Sequence, residues 1–121
     1  MAVARVLVVD DDAMVRTALA RVIHHLGAAC DLVADGSEAI AAAATGRYDL
    51  ILMDVNMPGL DGPAAARAIL AATPGVQIIG MTGGVDAARR DECARSGMSL
   101  LLDKPVRIAD LTRFLKPTAA P

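Results

Sequence analysis

Short runs of consecutive apolar residues recur along the chain, and each ends at a polar residue or a turn-forming group. Runs of this length without polar alternation are typical of strands that are buried on both faces of a parallel sheet. The pattern predicts five strands, at residues 3–9, 28–33, 50–53, 76–81 and 99–102.

The segments between the runs show apolar residues at helical spacing, as in Val15, Leu19, Val22 and Leu26 of the first such segment. Five helices are predicted, starting near residues 13, 36, 63, 86 and 106. Helix stops and starts support this reading: glycines follow the first, second and fourth helices, and a cap or capping box precedes several. The predicted caps are Asp35 with Glu38 for the second helix, with Ser37 as an alternative, Asp61 for the third and Asp86 for the fourth.

The sequence predicts which residues of the fourth and fifth helices face the core. The fourth has the weakest apolar pattern, and its expected inward residues are Ala87, Ala88, Cys93 and Ala94. The last is expected to bury Ile108, Leu111, Phe114 and Leu115.

Strands that alternate regularly with helices form βαβ units with right-handed crossovers, which place all strands parallel and helices on both faces. The predicted fold class is therefore α/β, with a doubly wound five-stranded parallel sheet. A chain of 121 residues with 55% hydrophobic residues forms one such domain without disulfides or metal staples. We expect residues 1–116 to form this domain and residues 117–121 to be a tail or linker stub.

Charge and composition exclude several classes of protein. The net charge is −2 and no run of Lys or Arg is present, so direct nucleic-acid binding is not expected. The longest apolar runs are too short for a membrane span or a signal sequence. Cys30 and Cys93 show no metal-binding or redox spacing, which favours reduced thiols and a cytoplasmic location.

Residues 50–62, LILMDVNMPGLDG, form the most informative stretch. A buried strand ends on Asp54, and the following Pro58 and Gly59 prevent the strand from continuing. Other predicted strands also end near polar residues, namely Asp10, Asp11, Thr82 and Lys104. Because the carboxyl ends of parallel strands share one edge of the sheet, these side chains are expected to converge.

Acids, a hydroxyl group and a lysine at one edge indicate phosphoryl transfer. Carboxylates that lie close together repel unless a cation is present, and Mg²⁺ prefers oxygen ligands. With the cation bound, Asp54 can act as a nucleophile toward phosphorus, while Thr82 and Lys104 stabilise the transferring oxygens.

Four motifs in this order carry a resemblance to a known family. They are VLVVDDD at residues 6–12, LILMDVNMPGLDG, IIGMTGG at residues 78–84 and DKPV at residues 103–106. The chain resembles the receiver domains of two-component response regulators, including the single-domain chemotaxis regulator, from Val6 to about Leu115. The resemblance implies a flavodoxin-like fold with strand order 2-1-3-4-5.

The resemblance also implies roles for individual residues. Asp54 would be the phosphoacceptor, and Mg²⁺ would be held by Asp10, Asp11, Asp54 and the backbone carbonyl of Asn56. Thr82 would be the switch hydroxyl, and Lys104 would pair with the phosphoryl group and precede a cis proline. Asp12 has two open interpretations, a metal contact through water or the cap of the first helix.

The expected function is a phosphoacceptor switch rather than an enzyme. The expected partners are a histidine kinase or phosphotransfer protein, which supplies the phosphoryl group, and a downstream protein or output domain. Signalling would proceed through the surface of the fourth helix, fifth strand and fifth helix, and a weak homodimer is a further expectation.

Several departures from the family pattern affect the readout. Leu101 stands where receivers usually carry the aromatic switch residue, and Leu100 and Met98 replace a usual acid and a usual alanine. These aliphatic residues either pack deeper in the core or form an altered partner surface. Gly83 and Gly84 make the loop after Thr82 easy to move and leave the phosphoryl site unshielded from water. This predicts a short-lived phosphoryl group.

Two alternatives compete with the switch. A pseudo-receiver would act only as an interaction module without phosphorylation. A haloacid-dehalogenase-like phosphatase would use Asp10 and Asp12 as its acid pair, but it leaves Asp54 without a role.

Overall fold

The computed structural model describes residues 5–115, in which five strands and five helices alternate. The elements are β1 (Arg5–Val9), α1 (Ala13–His25), β2 (Ala29–Val33), α2 (Gly36–Ala43), β3 (Leu50–Asp54), α3 (Gly62–Ala72), β4 (Gln77–Thr82), α4 (Ala87–Arg95), β5 (Leu100–Asp103) and α5 (Ile108–Leu115). The predicted start of the first strand and the predicted tail lie outside the described residues.

All strand pairs are parallel, and the sheet has the order β2-β1-β3-β4-β5. This confirms the predicted fold class and strand order. The central strand β3 is buried along its whole length, as its uninterrupted apolar sequence requires. In the register of the sheet, Asp54 pairs with Met81 and Thr82 pairs with Asp103, so the strand ends lie side by side.

Two hydrophobic layers cover the sheet. On one face α1 and α5 bury Leu19, Ile23, Leu111 and Leu115 against alternate residues of β1, β3 and β4. On the other face the remaining strand residues pack against α2, α3 and α4, with Ala39, Ala66, Ile69 and Cys93 in the layer. Among residues 5–115, no helix has the length and apolar character needed to cross a bilayer.

An aspartate side chain caps the amino end of each of the first four helices. Asp35, Asp61 and Asp86 accept the backbone N–H three residues later, as predicted. The second half of the predicted capping box differs, because Glu38 accepts from the N–H of Ala34 rather than from Asp35. Asp12 caps α1, with its Oδ1 2.8 Å from the nitrogen of Met14.

The two helices with predicted core faces differ from expectation. In α4 only Cys93 of the expected set is buried, because Ala87, Ala88 and Ala94 do not lie three or four residues from it and therefore face solvent. In α5 the side chain of Ile108 is 59% exposed, since burial begins one turn later at Leu111.

Both cysteines are free thiols, as predicted. Cys93 is buried and Cys30 is half-buried, and burial raises the pKa of both thiols above its ordinary value. Raised pKa values keep both thiols protonated and poorly reactive, which fits a structural role.

Candidate functional site

The strand ends bring the predicted polar residues to one edge of the sheet. Asp54 is the last residue of β3 and Thr82 is the last of β4, and both side chains are buried. Asp10 directly follows β1 and is fully buried, while the neighbouring Asp11 is exposed. A central strand whose other residues are all apolar thus delivers Asp54 to a nearly enclosed position.

Three carboxylates form a cluster at this edge. Asp10, Asp11 and Asp54 each offer an oxygen, and these oxygens lie within 4.8 Å of one another. The backbone fixes the cluster: Asp10 Oδ1 accepts from the nitrogen of Asp12 at 2.9 Å, and Asp54 Oδ1 accepts from the nitrogen of Asn56 at 3.3 Å. The cluster therefore combines two buried acids with one that is open to solvent.

Lys104 supplies the positive charge of the site. Its Nζ lies 2.8 Å from Asp10 Oδ2 and 3.2 Å from Asp54 Oδ1. Its backbone nitrogen donates to the carbonyl oxygen of Thr82 at 2.7 Å, which attaches the segment after β5 to β4. The Lys104–Pro105 peptide is cis, as the resemblance implied.

The two buried carboxylates share one ammonium group, and this affects the protonation of Asp54. Burial and the charge of Asp10 raise the pKa of Asp54 to about 6, although Lys104 acts in the opposite direction. Burial disfavours the charged form of Lys104, but Asp10 and Asp54 outweigh this effect and raise the pKa of the amine. Lys104 is thus charged at neutral pH, and Asp54 is only weakly held in its ionised form.

The donor set fits a hard divalent cation. Among the residues that the structure describes, Asp10 Oδ2 is the buried side-chain oxygen without a hydrogen-bond partner. Its close contact is an ion pair with Lys104 Nζ at 2.8 Å, and Lys104 Nζ also contacts Asp54. Within residues 5–115, no hydrogen bond uses the backbone carbonyl of Asn56 either. Carboxylate and carbonyl oxygens with free lone pairs are the ligands that Mg²⁺ prefers.

Thr82 lies beside this cluster but is held by its own loop. Its Oγ1 accepts from the nitrogen of Gly84 at 3.1 Å, and its strand position is one past Met81, which pairs with Asp54. The structure brings Asp10, Asp11 and Asp54 into one cluster, in which Lys104 contacts Asp10 and Asp54 directly. The hydroxyl group of Thr82 keeps its proton free to donate.

The aliphatic residues that replace the usual aromatic region pack mostly inward. Met98 is buried, and Leu101 is half-buried against the same hydrophobic layer. A Cβ built on Gly80 would lie 2.5 Å from Leu101 Cδ2 and 2.7 Å from Met98 Sδ, so both side chains cover this glycine. Leu100 points to the other face and is 38% exposed. Core packing thus accounts for Met98 and Leu101.

One residue near the site was missed by the sequence analysis. The guanidinium group of Arg89, in the first turn of α4, contacts the segment that directly follows Asp54. Glu92 and Asp61 raise the pKa of Arg89, so it is permanently charged. No local pattern in the sequence indicates this contact, because 33 residues separate Arg89 from Asn56.

The geometry agrees with a family comparison. Residues 6–116 match the model of the family described as "Response regulator receiver domain". This chain belongs to that family. The receiver is therefore a phosphoacceptor signalling switch of the two-component type, and the resemblance of the four motifs is confirmed.

Curated relatives carry this domain within much longer proteins. The chain is 34% identical over 110 residues to the sensor histidine kinase RcsC of Salmonella typhi, covering 91% of this chain and 12% of that protein. It is also 34% identical over 110 residues to the transcription factor SKN7 of Saccharomyces cerevisiae, covering 91% of this chain and 18% of that protein. The chain thus spans under a fifth of the length of these two relatives.

Solved structures of similar domains superpose closely. The receiver domain of the sensor histidine kinase PA1611 from Pseudomonas aeruginosa is 38% identical, with a TM-score of 0.83 and coverage of 91% of this chain and 92% of that chain. That structure has a magnesium ion coordinated in its active site cleft. Chemotaxis protein CheY4 of Vibrio cholerae is 30% identical, with a TM-score of 0.85 and coverage of 93% and 95%.

Proposed function

We propose that Asp54 is the phosphoacceptor of this receiver and that a histidine kinase or phosphotransfer protein donates the phosphoryl group. The observation that carries the proposal is the placement of the buried Asp54 carboxylate 3.2 Å from Lys104 and beside Asp10 and Asp11. An ordinary strand-end acid would be solvated, whereas this one is held among groups that suit phosphoryl transfer.

The residues divide the chemistry among them. An oxygen of Asp54 attacks phosphorus; an O–P bond forms, the N–P bond of the donor phosphohistidine breaks, and its electron pair stays on the imidazole nitrogen, which takes up a proton. Lys104 pairs with the new phosphoryl oxygens, and Thr82 turns from Gly84 to donate its hydroxyl proton to one of them.

Mg²⁺ is the cofactor in this proposal. Asp10, Asp11, Asp54 and the Asn56 carbonyl would hold it, and it would neutralise the charge that develops on the transferring oxygens. The sharing of Lys104 supports this assignment, because one ammonium group lies between the buried carboxylates of Asp10 and Asp54 and leaves an excess of negative charge that a divalent cation would neutralise.

The output belongs to the same proposal. Thr82 and the region of Leu101 would change the surface formed by α4, β5 and α5, which a downstream protein or output domain reads. The proposed domain is residues 1–116, located in the cytoplasm, with a weak homodimer as a further state. The chain assists its own phosphorylation and dephosphorylation without acting as an enzyme on another substrate.

Intact-mass measurement after incubation with acetyl phosphate and Mg²⁺ tests the assignment. We expect a phosphoryl adduct on the wild type, none on Asp54→Asn, and none when EDTA replaces Mg²⁺. Asp86→Asn is the matched control, because it removes an exposed acid while Asn still caps α4. A wild type without adduct would indicate the pseudo-receiver, and an adduct on Asp54→Asn would contradict the choice of nucleophile.

A further inference from the structure

Arg89 bridges α4 and the segment that connects β3 to α3. Its Nη2 lies 3.1 Å from the carbonyl oxygen of Val55, 3.1 Å from Asn56 Oδ1 and 3.0 Å from Asp61 Oδ2. Its Nη1 contacts Glu92 Oε1 on α4 itself at 2.7 Å. One side chain thus joins the first turn of α4 to both ends of the segment after Asp54.

The contacts of Arg89 are partly buried and mostly charged or attached to the backbone. The side chain of Arg89 is 23% exposed; two of its acceptors are carboxylates, one is a backbone carbonyl, and the fourth is the exposed amide oxygen of Asn56. The carbonyl of Val55 also accepts from the nitrogen of Gly62, and Asp61 caps α3. Charge-assisted hydrogen bonds from a planar guanidinium to fixed acceptors are strong and directional.

The segment that Arg89 holds is packed directly on the backbone of Asp54. A Cβ on Gly62 would lie 2.5 Å from the carbonyl oxygen of Asp54 and 2.9 Å from Val55 Cα. The start of α3 therefore has no free space above the phosphoacceptor strand. A shift of the Asp54 backbone must move Val55 and Asn56, and with them the acceptors of Arg89.

Other hydrogen-bonded routes from this segment to α4 are absent among residues 5–115: every such bond comes from Arg89. Leu101 has no polar atom and packs on Gly80, so it contributes apolar contact alone. The missing aromatic switch thus leaves Arg89 as the polar connection between the segment after Asp54 and α4.

We propose that Arg89 is a positioning residue that transmits the state of Asp54 to α4. Asn56 connects the metal site to Arg89: its backbone carbonyl would ligate the cation, and its side-chain oxygen accepts a hydrogen bond from Arg89. If Asn56 holds a cation through its carbonyl, any resulting shift of its backbone would be passed through Oδ1 to Arg89 and would loosen the first turn of α4. The inference rests on the proposed function for its input, whereas the bridge itself is independent of phosphorylation.

The first experiment tests the bridge in the absence of Mg²⁺ and phosphoryl donor. Amide hydrogen exchange is measured for wild type, Arg89→Ala and Arg90→Ala. We expect exchange in residues 55–61 and 86–92 to rise about tenfold in Arg89→Ala, because charge-assisted bonds to the segment are lost. Arg90 is exposed on the same helix, so Arg90→Ala removes the same charge and leaves these rates near wild type. Unchanged exchange in Arg89→Ala overturns the inference.

The second experiment tests transmission, with Mg²⁺ and beryllium fluoride as the phosphoryl mimic. In the wild type we expect binding to raise the exchange of residues 86–92, and in Arg89→Ala binding should persist while this further change disappears. Arg89→Lys keeps the charge but not the planar group, and is expected to restore only part of the response. A full response of α4 in Arg89→Ala overturns transmission through Arg89.

The two experiments separate failure of the inference from failure of the proposed function. If the wild type does not bind beryllium fluoride, or if Asp54→Asn binds it equally well, the proposed function fails and transmission from Asp54 fails with it. If the wild type binds and α4 exchange does not change, the proposed function stands and the inference about Arg89 is wrong.

Discussion

Lys104 and Asp54 form an ion pair, with 3.2 Å between Nζ and Oδ1, and yet the pKa of Asp54 is raised to about 6. Burial and the neighbouring charge of Asp10 outweigh the single lysine, whose ammonium is shared between the two acids. In the absence of a cation, the site therefore holds more negative charge than it can neutralise. This imbalance is what makes the edge of the sheet suited to a metal ion.

The imbalance predicts that Asp54→Asn stabilises the metal-free protein at neutral pH. The folded-state pKa of about 6 lies above the ordinary value of 3.8, so folding favours the protonated form. The protonated Asp54 carboxyl contributes its full stability to the wild type below pH 3.8, and this contribution is lost as pH rises through about 6. The side chain at this position in Asp54→Asn has no charge to bury at any pH. We expect a gain of about 1–3 kcal/mol at pH 7.5, shrinking toward pH 4.

Urea denaturation between pH 4 and pH 8 in EDTA measures this difference. Asp86→Asn serves as the control, since its carboxylate is exposed at the end of a helix. Saturating Mg²⁺ should stabilise the wild type and not Asp54→Asn. A gain that stays constant across the pH range would show that charge burial at Asp54 is not its cause.

Lys104 competes with a bound cation for the same oxygens. Its Nζ contacts Asp10 Oδ2, which is the buried oxygen with no hydrogen bond, and its raised pKa keeps it charged. We expect Lys104→Ala to bind Mg²⁺ several-fold more tightly at pH 7.5, because the repulsion between the two cations is removed. Calorimetric or NMR titration gives the dissociation constant.

Arg107→Ala is the matched control for this titration, because it removes one exposed positive charge three residues along the chain. Its Mg²⁺ affinity should stay near that of the wild type. If Lys104→Ala bound Mg²⁺ more weakly, Lys104 would have to organise the ligands rather than compete with the metal.

Much of the fold and of the acidic site could be predicted because the signals are local. An apolar run that ends on an acid and is followed by proline and glycine marks Asp54 without any structure. Parallel strands then bring their carboxyl ends together, which places Asp10, Asp11 and Lys104 beside it. Each step depends on neighbouring residues and on one topological rule.

The remaining features depend on contacts between distant segments. Arg89 reads as an ordinary exposed residue of a polar helix, and its contacts with Asn56 and Asp61 follow from how α4 sits beside α3. The prediction of inward-facing alanines in α4 was wrong for a related reason, since Cys93 is the buried residue of that short helix and Arg89 bonds the helix to the neighbouring segment. Orientation about the helix axis is a property of packing and is weakly encoded where few residues are apolar.

The open loop after Thr82 predicts rapid loss of the phosphoryl group. Gly83 and Gly84 are exposed, and a Cβ on either would meet nothing within 4 Å, so water has a free approach. We expect Gly84→Tyr to lengthen the half-life of the Asp54 adduct severalfold by covering this approach. Intact mass over time after removal of the donor measures the half-life.

The backbone of Gly84 sets a condition on this test. Its φ of +139° is rarely adopted by residues with side chains, so the melting temperature of the variant should be measured in parallel. Gly75→Tyr is the control, because Gly75 is exposed in the turn before β4 and has no neighbour within 4 Å of a built Cβ. An unchanged or shorter half-life in Gly84→Tyr would show that the loop does not govern access of water.

Gly80 and Leu101 are register partners on β4 and β5, and the Leu101 side chain occupies the space that a Cβ on Gly80 would need. Gly80→Ala should cost about 1–3 kcal/mol through overpacking, and Leu101→Ala a similar amount through the cavity that it leaves in a half-buried position. In the double variant the new methyl group enters the space that the leucine vacates. We therefore expect the double variant to lose at least about 0.5 kcal/mol less than the sum of the single variants.

Urea denaturation of the four proteins of this cycle, together with a second cycle that uses Leu100→Ala, gives the coupling energy. Leu100 pairs with Ile79 and faces the opposite side of the sheet, so its effect should add to that of Gly80→Ala. Additive effects in both cycles would mean that Leu101 does not pack on Gly80 and is available as a partner surface. Coupling confined to Leu101 would place its side chain in the core rather than on a partner surface.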